Sequence, residues 1–239
     1  MGNTGIKAIL FDSGRVLNGP VTGHWFITPN FYSFVDKEKF NSIPGQRKRV
    51  AFGKAEKYIS AQSRIDTERE EYKHFLEYYK LFFKELPELN MDDKQIECVT
   101  KDLVFNYEKY KFFGDINDVI PRLSESYKLA VISDAWPSLE NVFKKAGLRD
   151  YFKSFIISSK LGVTKPNELM YKTALNELGV LPEEAVFIDD SIRNCDGAKR
   201  LGIKTILLCR DLGFYLLNKA TCKSHRVERS IRCLKKMNL

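Results

Sequence analysis

No stretch of this chain approaches the ~18 to 20 consecutive apolar residues that a membrane-spanning helix needs. The amino terminus also lacks the basic start, apolar stretch and small-residue cleavage site of a secretory signal. In "MGNTGI", Ile6 stands where a myristoylation motif requires Ser or Thr. The expectation is a cytoplasmic protein with no membrane partner. The five cysteines (Cys98, Cys195, Cys209, Cys222 and Cys233) are odd in number, widely spaced and free of any Cys-x-x-Cys pair. That pattern argues against a disulfide framework, a zinc site and redox chemistry, and reads as reduced, mostly buried thiols.

Acidic residues run short only at the end of the chain. Residues 191–239 hold twelve Lys/Arg against three Asp/Glu, so the net charge of +8 belongs to that region and everything before it sums to −1. The tail "HRVERSIRCLKKMNL" reads as a short edge strand followed by a closing helix with Ser230 as its N-cap, rather than as a nucleic-acid footprint. No nucleic-acid partner is expected, and the sequence sets no oligomeric state. What is present in quantity is core: 239 residues at 44% hydrophobic content suffice for one large core, or for a core domain carrying a smaller insertion.

Three apolar runs end abruptly in polar residues: "AILFD" at 8–12, "LAVISD" at 129–134 and "AVFIDD" at 185–190. Each reads as a strand buried on both faces, the mark of a parallel sheet. "SFIISS" and "KTILL" look like two more. Helical patterns lie between them, in "INDVIPRLSESY", "PSLENVFKKAGL", "KPNELMYKTALNELG" and "SIRNCDGAKRLG", most of them stopped by a glycine. Between Gly19 and Phe112 the rhythm changes. Tyr72, Phe75, Leu76, Tyr79, Phe82, Phe83 and Leu86 fall at helical spacing, as do Ile96, Val99, Leu103, Tyr107 and Tyr110. Such aromatic stripes read as packing rather than as a cofactor box. The expected fold class is α/β, a doubly wound parallel sheet with an inserted α-helical domain. Residues 1–18 and 113–239 form the core and 19–112 the insertion, whose ends enter near the carboxyl edge of the sheet.

In open α/β sheets the ligand crevice lies beyond the carboxyl ends of the strands, so residues that terminate separate apolar runs converge there. Asp12, Ser133, Asp189 and Asp190 are such residues. Lys165 joins them at the head of a helix, with Pro166 as its first residue. An acidic pair in a low-dielectric crevice is costly without a cation, and carboxylate oxygens favour Mg²⁺. Singly each residue also fits a cap or a surface role; the combination and its order carry the reading.

In that order the chain resembles the haloacid dehalogenase-like (HAD) hydrolases. "ILFDSGRVL", "LAVISDAW", "SSKLGVTKPNELMYKTALNELG" and "AVFIDDSIRNCDGAKRLGIKTILL" match the four motifs of that superfamily. The helical insertion corresponds in place to its C1 cap. The resemblance implies a Rossmannoid core and a hydrolase of a small phosphorylated substrate, acting through an aspartyl-phosphate. It makes Asp12 the nucleophile, with Ser133 and Lys165 binding the phosphate beside Asp134. A Mg²⁺ would be held by Asp12, the Gly14 carbonyl, Asp190 and Asn194, the last standing where many members carry a second acidic residue.

Most phosphatases of the superfamily read Asp-x-Asp-Gly-Thr where this chain reads Asp12-Ser13-Gly14-Arg15-Val16. The second aspartate ordinarily moves the proton, a role worth ~10² to 10⁴ in rate, and Gly14 has no group for it. The pattern is that of a subgroup with Asp-x-Gly-x-Val first motifs, some of them sugar-phosphate phosphatases. Its proton would come from water, from the substrate or from the insertion, where His24 reads first as ordinary structure. Two alternatives stand beside it. One is a 2-haloacid dehalogenase, since halide needs no proton, although the Asp189–Asp190 pair has no use there. The other is a phospho-ligand or partner-binding protein in which Gly14 marks lost catalysis. Arg15 suits a clamp on a second anionic group or a pair with a carboxylate of the insertion. "GQRKRVAFG" reads as a solvated turn entering a helix.

Overall fold

The computed structural model describes residues 5–62, 64–213, 215–216 and 229–236. Met1–Thr4, Cys222 and part of the basic tail lie outside them. From the amino terminus the elements are β1 (Ala8–Phe11), β2 (Asn18–Pro20), α1 (Phe31–Phe34), α2 (Lys37–Ser42), α3 (Gly45–Ser60), α4 (Glu68–Lys84), α5 (Asp93–Phe105) and β3 (Tyr110–Phe112). They continue with α6 (Ile116–Ser124), β4 (Lys128–Ser133), α7 (Ser138–Lys145), β5 (Phe152–Ile157), α8 (Ser158–Leu161) and α9 (Glu168–Leu178). The last are β6 (Ala185–Asp189), α10 (Ile192–Lys199), β7 (Lys204–Leu208) and β8 (Arg229–Ile231).

Six strands form one parallel sheet in the order β5-β4-β1-β6-β7-β8. β1 is wholly apolar and fully buried, because both of its edges are paired and both of its faces covered. The chain winds outward from β1 through β4 to β5, then returns to its other side for β6, so the switch in winding direction falls at β1. On one face Leu10, Ala130, Ile132 and Phe187 pack with Met170, Tyr171 and Ala174 of α9.

The chain divides into two compact units: residues 1–19, 112–135 and 143–239, and residues 20–111 with 136–142. The second unit is helical. α4 and α5 begin in capping boxes, Thr67 with Glu70 and Asp92 with Gln95, which satisfy amide donors that the first helical turn leaves open. Phe75, Tyr78, Tyr79 and Phe82 of α4 are fully buried together with Phe31 and Val99. The aromatic stripe is thus a packing core, and Trp136 joins it. Within this unit Glu71 accepts the backbone N–H of Ser138 at 2.7 Å and its hydroxyl at 2.6 Å, while Lys109 Nζ donates to Ser138 Oγ at 2.8 Å.

Three local expectations change. α5 stops at Phe105, where Asn106 turns extended, so Tyr110 falls in strand β3 rather than on the helix. Ser230 lies inside β8, paired with Leu207, and caps nothing; the closing segment is a single 3₁₀ turn at Leu234–Lys236 among the described residues. The basic "GQRKRVAFG" is not a turn but the start of α3, its charged side outward and Arg47 paired with Glu88 at 2.5 Å. Of the described cysteines, Cys195 and Cys209 are buried and Cys98 and Cys233 half-buried. No described helix is long and apolar enough to cross a membrane.

Candidate active site

Sheet register assembles the site. Phe11 lies level with Val131 of β4 and Ile188 of β6, and the Asp12 N–H donates to Ile188 O at 2.9 Å. The residues that follow the ends of β1, β4 and β6 therefore emerge side by side. Asp12 is 8% exposed, Ser133 is the buried last residue of β4, and Asp189 is fully buried.

Lys165 Nζ donates to Asp12 Oδ1 at 2.5 Å and to Asp189 Oδ2 at 2.9 Å. Its own backbone N–H donates to Asp134 Oδ1 at 2.9 Å, which ties the end of β4 to the lysine. Lys165 is not at a helix start, however. Asn167 caps α9 through its side chain, and Pro166 lies in the turn before it. Gly197 of α10 permits that turn to approach, since a Cβ there would lie 2.5 Å from Pro166 Cβ.

Asp189 is held on every side. Its Oδ1 accepts the Ser191 N–H at 2.7 Å, and Asn194 Nδ2 donates to Oδ2 at 3.1 Å beside Lys165. Asn194 is itself seated by Tyr171, whose hydroxyl donates to its carbonyl at 2.9 Å. One carboxylate oxygen each from Asp12, Asp189 and Asp190 lie within 4.8 Å of one another. Such a cluster of hard oxygen donors can hold a divalent metal ion.

Electrostatics points the same way. Burial pushes the Asp12 carboxyl up to about 8, against the pull of Lys165 and with the push of Asp189 and Asp190. Asp190 rises to about 6, from burial first and Asp189 next. Burial also raises Asp134. For Lys165, burial disfavours the ammonium, but Asp12, Asp189 and Asp134 outweigh it and hold the group above its ordinary range. Four carboxylates share this end of the sheet with Lys165, Arg15 and Arg193, an excess of one negative charge when all are ionised.

The loop after Asp12 is tight. Ser13 O accepts the N–H groups of Val16, Leu17 and Asn18, and Asn18 Nδ2 donates to Ser13 Oγ at 2.9 Å. Gly14 pairs with Asn18 across this loop. Arg15 adopts a left-handed backbone at φ 61°, its N–H donating to Asn18 O at 2.7 Å. Its side chain is 72% exposed and faces Asp190 Oδ2 at 3.6 Å, so its charge partner is this acidic residue and not one of the helical insertion.

His24 lies in the helical unit, where Nδ1 accepts the Phe26 N–H at 3.2 Å and the ring packs on Phe52 at 4.6 Å. Ser133 lies five residues ahead of α7 and does not cap it. Asp189, expected as half of the acidic pair, is also the second anchor of Lys165. One contributor escaped the sequence reading: Arg210 donates from Nε and Nη2 to Val16 O. The signal for Arg210 was present: it stands two residues past the apolar run "KTILL", at a carboxyl strand end like the others.

The chain is similar to several known proteins. A glyceraldehyde 3-phosphate phosphatase of Methanopyrus kandleri is 30% identical over 118 residues, 45% of this chain and 49% of the relative, so the chain spans about half of its length. A Bacillus subtilis protein, YfnB, solved bound to magnesium, superposes with a TM-score of 0.66 at 15% identity, covering 97% of this chain and 96% of that one. A 2-haloacid dehalogenase of Pseudomonas syringae superposes with a TM-score of 0.64 at 17% identity, covering 97% and 96%. At those identities the two structures show the shared fold. The family model for haloacid dehalogenase-like hydrolases matches residues 27–208, well over half of the sequence, and the chain belongs to that family.

Proposed function

We propose that the protein is a cytoplasmic, Mg²⁺-dependent phosphatase of a small phosphorylated metabolite, a sugar phosphate being the favoured class, with Asp12 as nucleophile. The observation that carries the reading is Lys165, which binds Asp12 and Asp189 at once beside Asp190. The ammonium orients the Asp12 carboxylate through Oδ1, and no described side chain takes Oδ2. That oxygen attacks phosphorus, the bond to the leaving oxygen breaks, and the aspartyl-phosphate is then hydrolysed by water.

Mg²⁺ fits the donor set and its excess of negative charge; Asp12 and Asp190 would hold it, with the Gly14 carbonyl and Asn194 completing the set. When bound, it would screen the substrate's charge from that of Asp12. Asp189, saturated by Ser191, Asn194 and Lys165, acts as the orienting carboxylate. Ser133, Asp134 and Lys165 form the phosphate-binding side, and Arg15 is suited to a second anionic group of the substrate. With glycine at position 14, the leaving oxygen takes its proton from water or from the substrate itself.

A dehalogenase would share Asp12 and tolerate Gly14, but it has no use for an acidic triad with a charge deficit. The test is phosphate release with and without Mg²⁺ from p-nitrophenyl phosphate, acetyl phosphate, sugar phosphates and nucleotides, with halide release from 2-haloacids alongside. Metal-dependent phosphate release supports the reading. Halide release without metal refutes it, and silence in both arms favours a phospho-ligand-binding role.

A further inference from the structure

Within the nucleophile loop Ser13 O accepts from Val16, Leu17 and Asn18, whereas the carbonyl of buried Val16 is bonded from outside the loop. Arg210, two residues past the end of β7, supplies both donors to it, Nε at 3.0 Å and Nη2 at 2.6 Å. The same guanidinium lies 3.1 Å from Asp115 Oδ1 and donates from Nη1 to Oδ2 at 3.3 Å, with its plane 4.0 Å from the Phe113 ring. Phe113 in turn donates its N–H to Leu17 O at 3.0 Å, and Asp115 Oδ2 accepts the Leu234 N–H at 2.8 Å. One planar fork thus joins the loop after β1, the segment opening α6 and the carboxyl-terminal turn. Only a guanidinium has the donor geometry to serve Val16 O and a carboxylate together.

We propose that Arg210 is a positioning residue: by clamping Val16 it holds Asp12 at the attack geometry and Arg15 in its left-handed conformation, with Asp115 and Leu234 fixing the clamp. The proposal rests on Asp12 as nucleophile for its catalytic part, and on the loop contacts alone for its structural part. Misplacing a reacting group by about 1 Å costs on the order of 10²-fold in rate.

The experiment compares full-length wild type with Arg210→Lys, which keeps the charge but not the fork, and with the Arg210→Gln/Asp115→Asn double variant, which leaves no unpaired buried carboxylate if the first fails to fold. Amide hydrogen exchange is read at Val16, Leu17 and Asn18 and, as a control, across α4. Steady-state kinetics use p-nitrophenyl phosphate with Mg²⁺. The expected result is at least ~10-fold faster exchange in the loop, unchanged exchange in α4, and kcat lower by ~10- to 100-fold with KM within ~3-fold. Unchanged loop exchange overturns the clamp. Loosened loop exchange with wild-type kcat overturns the positioning role. If wild type itself releases no phosphate, the phosphatase reading fails, and loop exchange alone decides the clamp.

Discussion

Lys165 Nζ stands between two carboxylates, 2.5 Å from Asp12 Oδ1 and 2.9 Å from Asp189 Oδ2, on a side chain that is almost wholly buried. Removing one partner from a buried ionic cluster typically costs ~3 to 5 kcal/mol, because the remaining charges stay uncompensated. Lys165→Met is expected to lower the stability of metal-free protein by about that amount and to abolish turnover. Mg²⁺ should recover part of the stability. Thermal melts of both proteins with and without Mg²⁺ test this, and equal melting temperatures would sink it.

Asp12→Asn removes the proposed nucleophile at nearly constant shape. Turnover should fall by at least ~10³-fold while circular dichroism stays that of wild type. Retained Mg²⁺-dependent hydrolysis in the variant would overturn the covalent mechanism.

Gly14 is not among the residues with a left-handed backbone, so its backbone conformation is one that an L side chain adopts. Gly14→Asp would supply a proton donor near the leaving oxygen. For alkyl phosphates, whose leaving groups need that proton, kcat should rise by ~10-fold or more, with little change for p-nitrophenyl phosphate. A uniform fall across both substrates would show instead that the loop depends on glycine.

Burial raises Asp12 to about 8 and Asp190 to about 6. A raised carboxyl binds its proton more tightly folded than unfolded, so the stability it contributes is full below the ordinary carboxylate range and is lost as pH rises through the folded value. Lys165, held above its ordinary range, stays charged throughout that window. Metal-free protein should therefore lose stability from about pH 4 to about pH 8 through these two groups. Mg²⁺ should offset the loss at the upper end, and Asp12→Asn should flatten the profile. A series of melts across this range reads the slope directly.

Glu71 is a buried carboxylate whose two oxygens are taken by Ser138, with Lys109 on the other side of that hydroxyl. Burial raises it, against Lys109 and Ser138. Glu71→Ala leaves the Ser138 N–H and hydroxyl without their acceptor and the buried Lys109 ammonium without the nearby charge of Glu71, and is expected to cost about 3 kcal/mol. Denaturant unfolding measures the loss, and a change below ~1 kcal/mol would show that the cluster relaxes around the gap.

How far each feature could be read from the chain follows from its physical range. β1, β4 and β6 were legible because a strand buried on both faces leaves an unbroken apolar run with a sharp polar end. Asp12, Ser133, Asp189 and Asp190 were found through those ends. The Glu71–Ser138 contact spans 67 residues and the Arg210–Val16 contact 194, and no periodicity encodes either. Pro166 and Ser230 misled for a related reason. Each has a helix-start chemistry, but the turn before α9 and the pairing of β8 overrode that local preference.

By itself the sequence determined the apolar runs, their order and the polar residues at their ends, and hence an α/β core with its candidate site residues at one sheet edge. It also determined that position 14 carries no acid. Only the tertiary structure decided which carboxylate Lys165 shares with Asp12, that Arg15 faces Asp190, and that residues 136–142 group with the helical unit. Those outcomes depend on distances between residues far apart along the chain, which sheet register and buried hydrogen bonds set and which local pattern cannot carry.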